Sequence, residues 1–200
     1  MPDQPTPRGD STPKRDHLIA TASRLFYRDG YHVVGIDTIL AEAKLAKMTL
    51  YHHFASKEEL IVAVLEQRSA LASEKVQTVL REAGPSPKKR LLAYFDRIEG
   101  FISRKEFNGC AFIRAVAEYP EIHSPVHQAV IRHKQRDIDT LQKLLSGFDV
   151  AEPEPLAHQI ALLIEGALVS AHTFGNTTAL THARNAALAL VKAAPRVGRL

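Results

Sequence analysis

A stretch without acidic residues lies between Glu42 and Glu58, and its polar side chains are of the types that bind nucleic acids. Lysine neutralises phosphate oxygens, while hydroxyl groups and imidazoles hydrogen-bond to phosphates and base edges. The chemistry indicated is noncovalent recognition of a nucleic acid, although a solvated basic face on a helical bundle would have the same composition. The polar residues of the stretch are Lys44, Lys47, Thr49, Tyr51, His52, His53, Ser56 and Lys57.

Two short helices, at residues 36–43 and about 47–53, are predicted to position these side chains. The apolar residues of the same stretch are spaced as a core shared by two crossed helices would require. A basic outer side and an apolar inner side, on two helices joined by a short turn, are typical of a helix-turn-helix. Leu45, Leu50 and Phe54 are therefore interpreted as core residues rather than as ligand contacts.

Three runs in this region closely resemble the TetR family of repressors: GIDTILAEA from Gly35, AKMTLYHHF from Ala46 and SKEEL from Ser56. The upstream Leu25-Phe26 and Gly30-Tyr31 pairs resemble the end of the first helix in that family, so the resemblance covers about residues 15–65. It implies an N-terminal DNA-binding domain followed by a larger helical domain that dimerises and binds an effector.

The resemblance also implies roles for individual residues of the motif. Lys47, Tyr51 and Lys57 are expected to contact phosphates, and Met48, Thr49 and His52 to lie nearest the base edges. Two positions depart from the common family pattern, because Lys44 stands where the turn usually has glycine and Ala46 where a serine usually caps the recognition helix. Losing such a cap costs about 1 kcal/mol in typical hosts. The base preference of the family therefore cannot be transferred to this chain.

The remainder of the chain is predicted to be helical, which makes the fold all-α: a three-helix DNA-binding domain and a larger C-terminal bundle. Ser56 with Glu59 predicts a capping box, and Ser86-Pro87 and Ser124-Pro125 predict further helix starts. The expected divisions are a flexible tail at 1–13, the helix-turn-helix domain at 14–56, the effector and dimerisation domain at 57–194, and a C-terminal tail at 195–200. Arg8, Lys14 and Arg15 could form an arm on DNA or belong to a solubilising tail.

The C-terminal domain holds enough apolar helices to enclose a pocket, although each candidate lining residue could equally be plain core. Glu165 is expected to be a buried polar group in the pocket or in a dimer seam, where it needs a partner. The resemblance implies that the penultimate helix and the helix opening at Pro125 form the dimer interface. The candidates are Phe95, Phe101, Ile102, Cys110, Phe112, Ile113 and Glu165.

No metal or other cofactor is expected. His158, Glu165 and His172 share a helix stripe, but each step of seven residues separates neighbours by about 10 Å, too far for shared ligation. His123 and His127 lie four residues apart, yet the helix start at Ser124-Pro125 falls between them and spoils that geometry.

Several classes of protein are disfavoured by what the sequence lacks. It has one cysteine, Cys110, and no apolar leader, and its most apolar stretch, at residues 160–169, is too short for a membrane span, so a cytoplasmic protein is expected. Nucleophile-elbow, phosphate-loop and zinc-protease motifs are absent, which argues against an enzyme. We expect a homodimeric repressor released from a palindromic operator by a small apolar effector. The alternatives are a helical protein-interaction module and an activator-type regulator without small-molecule control.

Overall fold

The computed structural model describes residues 13–198, and within that range the chain forms nine α-helices and no β-strand. The predicted all-α fold is confirmed. The predicted tail at residues 1–12, with Arg8, lies outside the described residues, and Pro13 begins the first helix. The helices are α1 (Pro13–Asp29), α2 (Ile36–Ala43), α3 (Lys47–His53), α4 (Lys57–Glu82), α5 (Pro87–Ile102), α6 (Ala111–Glu118), α7 (Pro125–Ser146), α8 (Pro153–Phe174) and α9 (Thr178–Ala193).

Serine caps begin three of the helices, as the sequence predicts. The Oγ atoms of Ser56, Ser86 and Ser124 each accept a hydrogen bond from the backbone amide three residues later. In the α4 cap, Glu59 also reaches back, but its Oε2 accepts from the amide of Ala55 at 2.6 Å, one residue before the predicted position. These caps satisfy amides that have no partner inside the helix, and so determine where each helix starts.

The turn between α2 and α3 has the unusual backbone expected from its sequence. Lys44 adopts the left-handed conformation, with φ 54° and ψ 42°, where a glycine would be unstrained. Ala46 occupies the N-cap of α3 and provides no side-chain hydrogen bond to the helix. The amide of Leu45 donates to the carbonyl oxygen of Leu40 at 3.1 Å, so backbone contacts close the turn.

The buried side chains of residues 13–198 form two hydrophobic cores, and the long helices α4 and α7 contribute to both. The first core joins α1, α2, α3 and the start of α4 to α6 and the first turns of α7, reaching Phe112 and Val130. The second core fills the space between the end of α4 and helices α5, α7, α8 and α9. The first core thus crosses the predicted domain boundary at residues 56/57, and that boundary remains a prediction. A movement of α4 or α7 would change the packing of both cores.

The residues that follow α9 are docked on the bundle as far as the structure describes them. Val150 and Arg196 form an isolated antiparallel bridge. The Arg196 guanidinium donates to the carbonyl oxygens of Phe148 and Val191, at 2.5 and 2.8 Å. The amide of Val197 donates to the carbonyl oxygen of Asp149 at 2.8 Å, so the predicted C-terminal tail at 195–200 is held against the α7–α8 turn as far as residue 197.

Candidate nucleic-acid interface

Helix α3 presents one exposed face built from four of the predicted site residues. Met48 is 80% exposed and Tyr51 is 47% exposed, and Lys47 and His52 are exposed as well. At 100° per residue, positions 47, 48, 51 and 52 fall within about 140° of the helix circumference. The opposite face carries Leu50, which is fully buried in the first core.

The other two predicted DNA-contacting residues lie at the border of this face. Thr49 is half-buried. Lys57 lies at the start of α4, where its Nζ donates to the carbonyl oxygen of His32 at 3.2 Å, and partial burial lowers its pKa below the usual lysine value. Lys57 therefore ties α4 to the α1–α2 turn, in addition to any contact with a ligand.

The supports of α3 come from α1 and α2. His17 Nε2 lies 3.1 Å from the carbonyl oxygen of Ala43, at the end of α2. The Arg15 guanidinium lies over the buried ring of Phe54, 5.2 Å from its centroid. Lys47 Nζ lies 3.7 Å from Asp37 Oδ1, a weak surface pair that a phosphate could replace. The exposed face is thus held by packing on its inner side, while its outer side remains open.

A junction centred on Glu118 joins the α1–α2 turn to α6, and our sequence analysis did not identify it. The carboxylate accepts from the amides of Tyr31 and His32 at 3.1 and 2.6 Å. The imidazole of His32 stacks on Tyr119, with ring centroids 4.7 Å apart. Gly30 has φ +100°, and a Cβ there would lie 3.2 Å from Glu118 Oε1, so the turn needs glycine both for its conformation and for this contact.

A second junction joins the end of α1 to the α5–α6 loop. Tyr27 Oη donates to the carbonyl oxygen of Gly109 at 3.0 Å and accepts from the amide of Asn108 at 2.8 Å. The Asn108 and Arg114 side chains both donate to the carbonyl oxygen of Tyr27, at 2.9 and 3.0 Å. The first three helices are therefore attached to the C-terminal bundle by directional bonds as well as by apolar packing.

A cavity of about 260 Å³ lies between α4, α5, α6, α7 and α8. Three of the seven predicted pocket residues line it: Phe101, Cys110 and Phe112. The cavity also contacts basic side chains that the sequence analysis did not name, among them Arg97 and Arg104.

The other four predicted pocket residues do not line the cavity. Phe95 and Ile102 are buried in the second core, and Ile113 is half-buried. The Glu165 side chain is 41% exposed, and its Oε1 lies 3.1 Å from Nζ of Lys134 in the same chain. Glu165 thus has the partner it was expected to need, although it is less buried than expected.

A polar cluster joins α4 to α7 at the cavity, where two of its members, His133 and Asp137, line the wall. Ser69 Oγ lies 2.8 Å from His133 Nδ1, and His133 Nε2 lies 3.4 Å from Asp137 Oδ2. The His133 ring stacks on Phe112 at 3.4 Å, and burial lowers its pKa to about 3. Ser69 is 3% exposed and also accepts from the Arg136 guanidinium at 2.5 Å. This serine is therefore committed to buried hydrogen bonds that hold two helices together.

Burial also raises the pKa of Asp137 to about 6, against the opposing effect of Lys134.

Across residues 13–198, the structure contains no helix with the length and apolar character of a membrane span. The same residues include no cluster of three or more histidine, cysteine or acidic side chains arranged for a metal.

Two family models match the chain, one over the N-terminal helices and one over the C-terminal bundle. The model described as bacterial regulatory proteins, tetR family, matches residues 18–64. The model described as tetracyclin repressor-like, C-terminal domain, matches residues 87–187. Together they cover the helix-turn-helix and most of the bundle around the cavity.

Similar proteins support the same assignment. A crystal structure of a TetR-family transcriptional regulator from Streptomyces coelicolor superposes with a TM-score of 0.83 and 34% identity, covering 90% of this chain and 94% of that one. The HTH-type transcriptional repressor NemR of Escherichia coli is 27% identical over 132 residues, 66% of each protein. The HTH-type transcriptional activator FasR of Mycolicibacterium smegmatis is 36% identical over 98 residues, 46% of this chain and 45% of that protein. The matches thus span just under two thirds of NemR and less than half of FasR.

The three-helix motif with its exposed α3 face, the surrounding bundle and both family matches lead to one assignment: this chain belongs to the TetR family of transcriptional regulators.

Proposed function

We propose that this protein is a homodimeric repressor that leaves a palindromic operator when a small effector binds in the cavity. The observation that carries the proposal is the α3 face, where basic, aromatic and thioether side chains are exposed together. The proposed phosphate contacts are Lys47, Tyr51 and Lys57, and the proposed base contacts are Met48, Thr49 and His52. Because the operator lies on the chromosome, the proposed place of action is the cytoplasm, and we propose no catalytic activity.

The cavity supports control by a ligand, since α4 runs from the DNA-facing domain along the cavity wall. Arg68 on α4 lines the cavity, and its guanidinium donates to Oγ and to the carbonyl oxygen of Ser23 on α1, both at 2.9 Å. A ligand that displaces α4 would therefore also move α1 and change the position of α3. Because ligand and operator would favour different positions of α4, each would weaken the binding of the other by the same factor.

An open apolar groove on α8 and α9 supports dimerisation. The groove has a volume of about 750 Å³ and is lined by Gln159 together with leucines and alanines, including Leu162, Leu190 and Ala186. Leu162 is 71% exposed, and Phe174 at the end of α8 is 73% exposed. A twofold contact through this face would cover these side chains and place two α3 helices for successive major grooves. We propose α9, rather than the Pro125 helix α7, as the partner of α8 in the interface, because the open apolar groove is formed by α8 and α9.

The variant Leu162→Glu is expected to convert a dimer to monomers. Each leucine contributes about 2 kcal/mol when fully buried, and twofold symmetry counts the change twice, so dimer dissociation is expected to rise at least about 1000-fold. Sedimentation velocity over a concentration series measures the effect. The matched control is Ile122→Glu, which alters an exposed apolar residue (54% exposed) outside the groove. Equal dimer affinity in both variants would contradict the proposal that α8 and α9 form the dimer interface.

The repressor proposal is tested by mobility shift with DNA flanking the gene of this protein. We expect a retarded band that resists nonspecific competitor and weakens as salt increases, because phosphate contacts release counterions. The same DNA upstream of a reporter should give lower expression when the protein is present. Failure to bind any flanking fragment would contradict the proposed local operator.

An activator is the second candidate, and the match to FasR favours it. Both kinds of regulator would bind DNA, so the mobility shift does not separate them. The reporter does: expression that rises when the protein is supplied would replace repression with activation, without changing the proposed DNA-contacting face.

A further inference from the structure

The cavity between α4 and α8 is cationic for its size. Among the described residues that line it, a single side chain is acidic, Asp137, and burial raises the pKa of that carboxyl to about 6. Five side chains of the lining are basic. They are Arg68, Lys75, Arg97, Arg104 and Lys134.

Two of these five cations already have partners on the protein. Arg68 donates twice to Ser23 and lies over the ring of Tyr27, 4.7 Å from its centroid. Lys134 pairs with Glu165 at 3.1 Å. Within residues 13–198, no carboxylate lies at ion-pair distance from the other three cations, which are Lys75, Arg97 and Arg104.

Arg97 is the cation that the protein leaves least satisfied. Its Nε atom is buried and has no hydrogen-bond partner among the described residues. Burial lowers the pKa of its guanidinium, and the like charge of Arg104 lowers it further. Arg90 and Arg184 share an unpartnered Nε, but neither lines the cavity. A partly desolvated cation is costly without a counter-charge, and an anion held by charge-assisted hydrogen bonds would provide one.

Apart from Tyr94, His133 and Asp137, the rest of the lining is largely apolar, so the cations occupy only part of the wall. Arg97 and Phe101 lie one turn apart on α5. Arg104 follows the end of that helix and is exposed, and its guanidinium lies 5.8 Å from the centroid of the Phe101 ring. The volume of about 260 Å³ lies just below the range of about 300–1,000 Å³ typical of sites for drug-sized ligands. The apolar part of the wall is formed by Leu71, Val76, Ile98, Phe112, Ile164 and Leu168.

We propose that the effector is a small amphipathic organic anion, with one carboxylate, sulfonate or phosphate group held by Arg97 and Arg104 and an aromatic or aliphatic body among the apolar residues. This inference rests on the proposed function, because it names the ligand class of the proposed effector site. It also revises the expectation of a purely apolar effector. A neutral ligand of the same shape would leave the charge of Arg97 uncompensated.

The test compares 1-naphthoate with its neutral isostere 1-naphthamide, using calorimetry on the full chain without DNA. We expect the wild type to bind the acid at least about tenfold more tightly than the amide, with a preference that shrinks as salt increases. Arg97→Met should bring the ratio close to one while leaving the affinity for the amide within about twofold. Arg97→Lys should retain part of the preference. Lys88→Met, on an exposed part of α5 outside the cavity, should retain all of it.

Two results would overturn the proposal: an amide that binds as tightly as the acid, or no binding of either 1-naphthoate or decanoate, which together represent aromatic and aliphatic bodies. Circular dichroism checks that each variant is folded. If Arg97→Met does not fold, Arg104→Met provides a second variant. Mobility shifts are run separately. An anion that binds at the cavity without releasing DNA would contradict the proposed effector role and leave the ligand class standing. Operator binding without any anion binding would contradict the ligand class and leave the proposed DNA-binding function standing.

Discussion

Replacing Tyr51 by alanine is expected to weaken operator binding by the dimer about 100-fold or more. Tyr51 is 47% exposed at the centre of the α3 face, and losing one contact with phosphate or base is typically worth about 1–3 kcal/mol. A twofold dimer loses the contact twice, which sets the expected magnitude. Fluorescence anisotropy with a labelled operator measures the affinity, and sedimentation confirms that the variant remains a dimer.

Matched changes distinguish the two kinds of contact on this face. Lys47→Ala should lower affinity for all sequences and reduce the salt dependence by about one counterion for each lost contact. Met48→Ala should change the ranking of operator variants more than the salt dependence, because a thioether carries no charge. Lys88→Ala, an exposed lysine on α5, should leave both quantities unchanged. If Tyr51→Ala dissociates the dimer, the placement of the DNA-contacting face is wrong.

Replacing Glu118 by alanine is expected to lower the free energy of unfolding by about 2–4 kcal/mol. The carboxylate accepts from two backbone amides, those of Tyr31 and His32, and hydrogen bonds to charged groups contribute about 1.5–3 kcal/mol each. The loss stays below their sum because water reaches the exposed amide of His32. Operator affinity should fall as well, though less than with Tyr51→Ala, since the turn that Glu118 holds also supports Lys57.

Urea denaturation followed by circular dichroism measures this loss. Glu118→Gln keeps one carbonyl acceptor and should lose about half as much stability as the alanine variant. Glu121→Ala removes an exposed carboxylate three residues further along the chain, and should change stability by less than about 0.5 kcal/mol. Equal stability of Glu118→Ala and wild type would mean that the junction contributes nothing to the attachment of the DNA-facing domain.

The helix-turn-helix could be predicted from the sequence because its determinants are local. The apolar spacing places Leu50 and Phe54 inside, the Ser56 hydroxyl caps α4, and the left-handed Lys44 closes the turn within a few residues. The exposed side of α3 follows from the same periodicity, since residues that do not share the core face must point away from it. Short-range geometry was sufficient for the fold of this region, whereas the choice of DNA-contacting candidates came from the resemblance to the TetR family.

The cavity could not be predicted in the same way, because its lining comes from five helices whose crossing determines which side chains converge. Phe95 and Phe101 are both apolar residues of α5, yet Phe95 is buried in the second core and Phe101 lines the cavity. The two residues lie six positions apart, about 240° around the helix, so the packing of α5 against its neighbours decides which of them faces the cavity.

The contacts between the two parts of the chain are nonlocal for the same reason. Glu118 binds the amide of His32 across 86 positions of sequence, and a lone glutamate at a helix end has no local pattern that would reveal this partner. The sequence alone gives the charge on Arg97, but the burial of its Nε atom without a hydrogen-bond partner depends on how α4, α5 and α7 pack. Local spacing thus determined the DNA-facing motif, whereas the long-range packing of the bundle determined its attachment and the chemistry of its cavity.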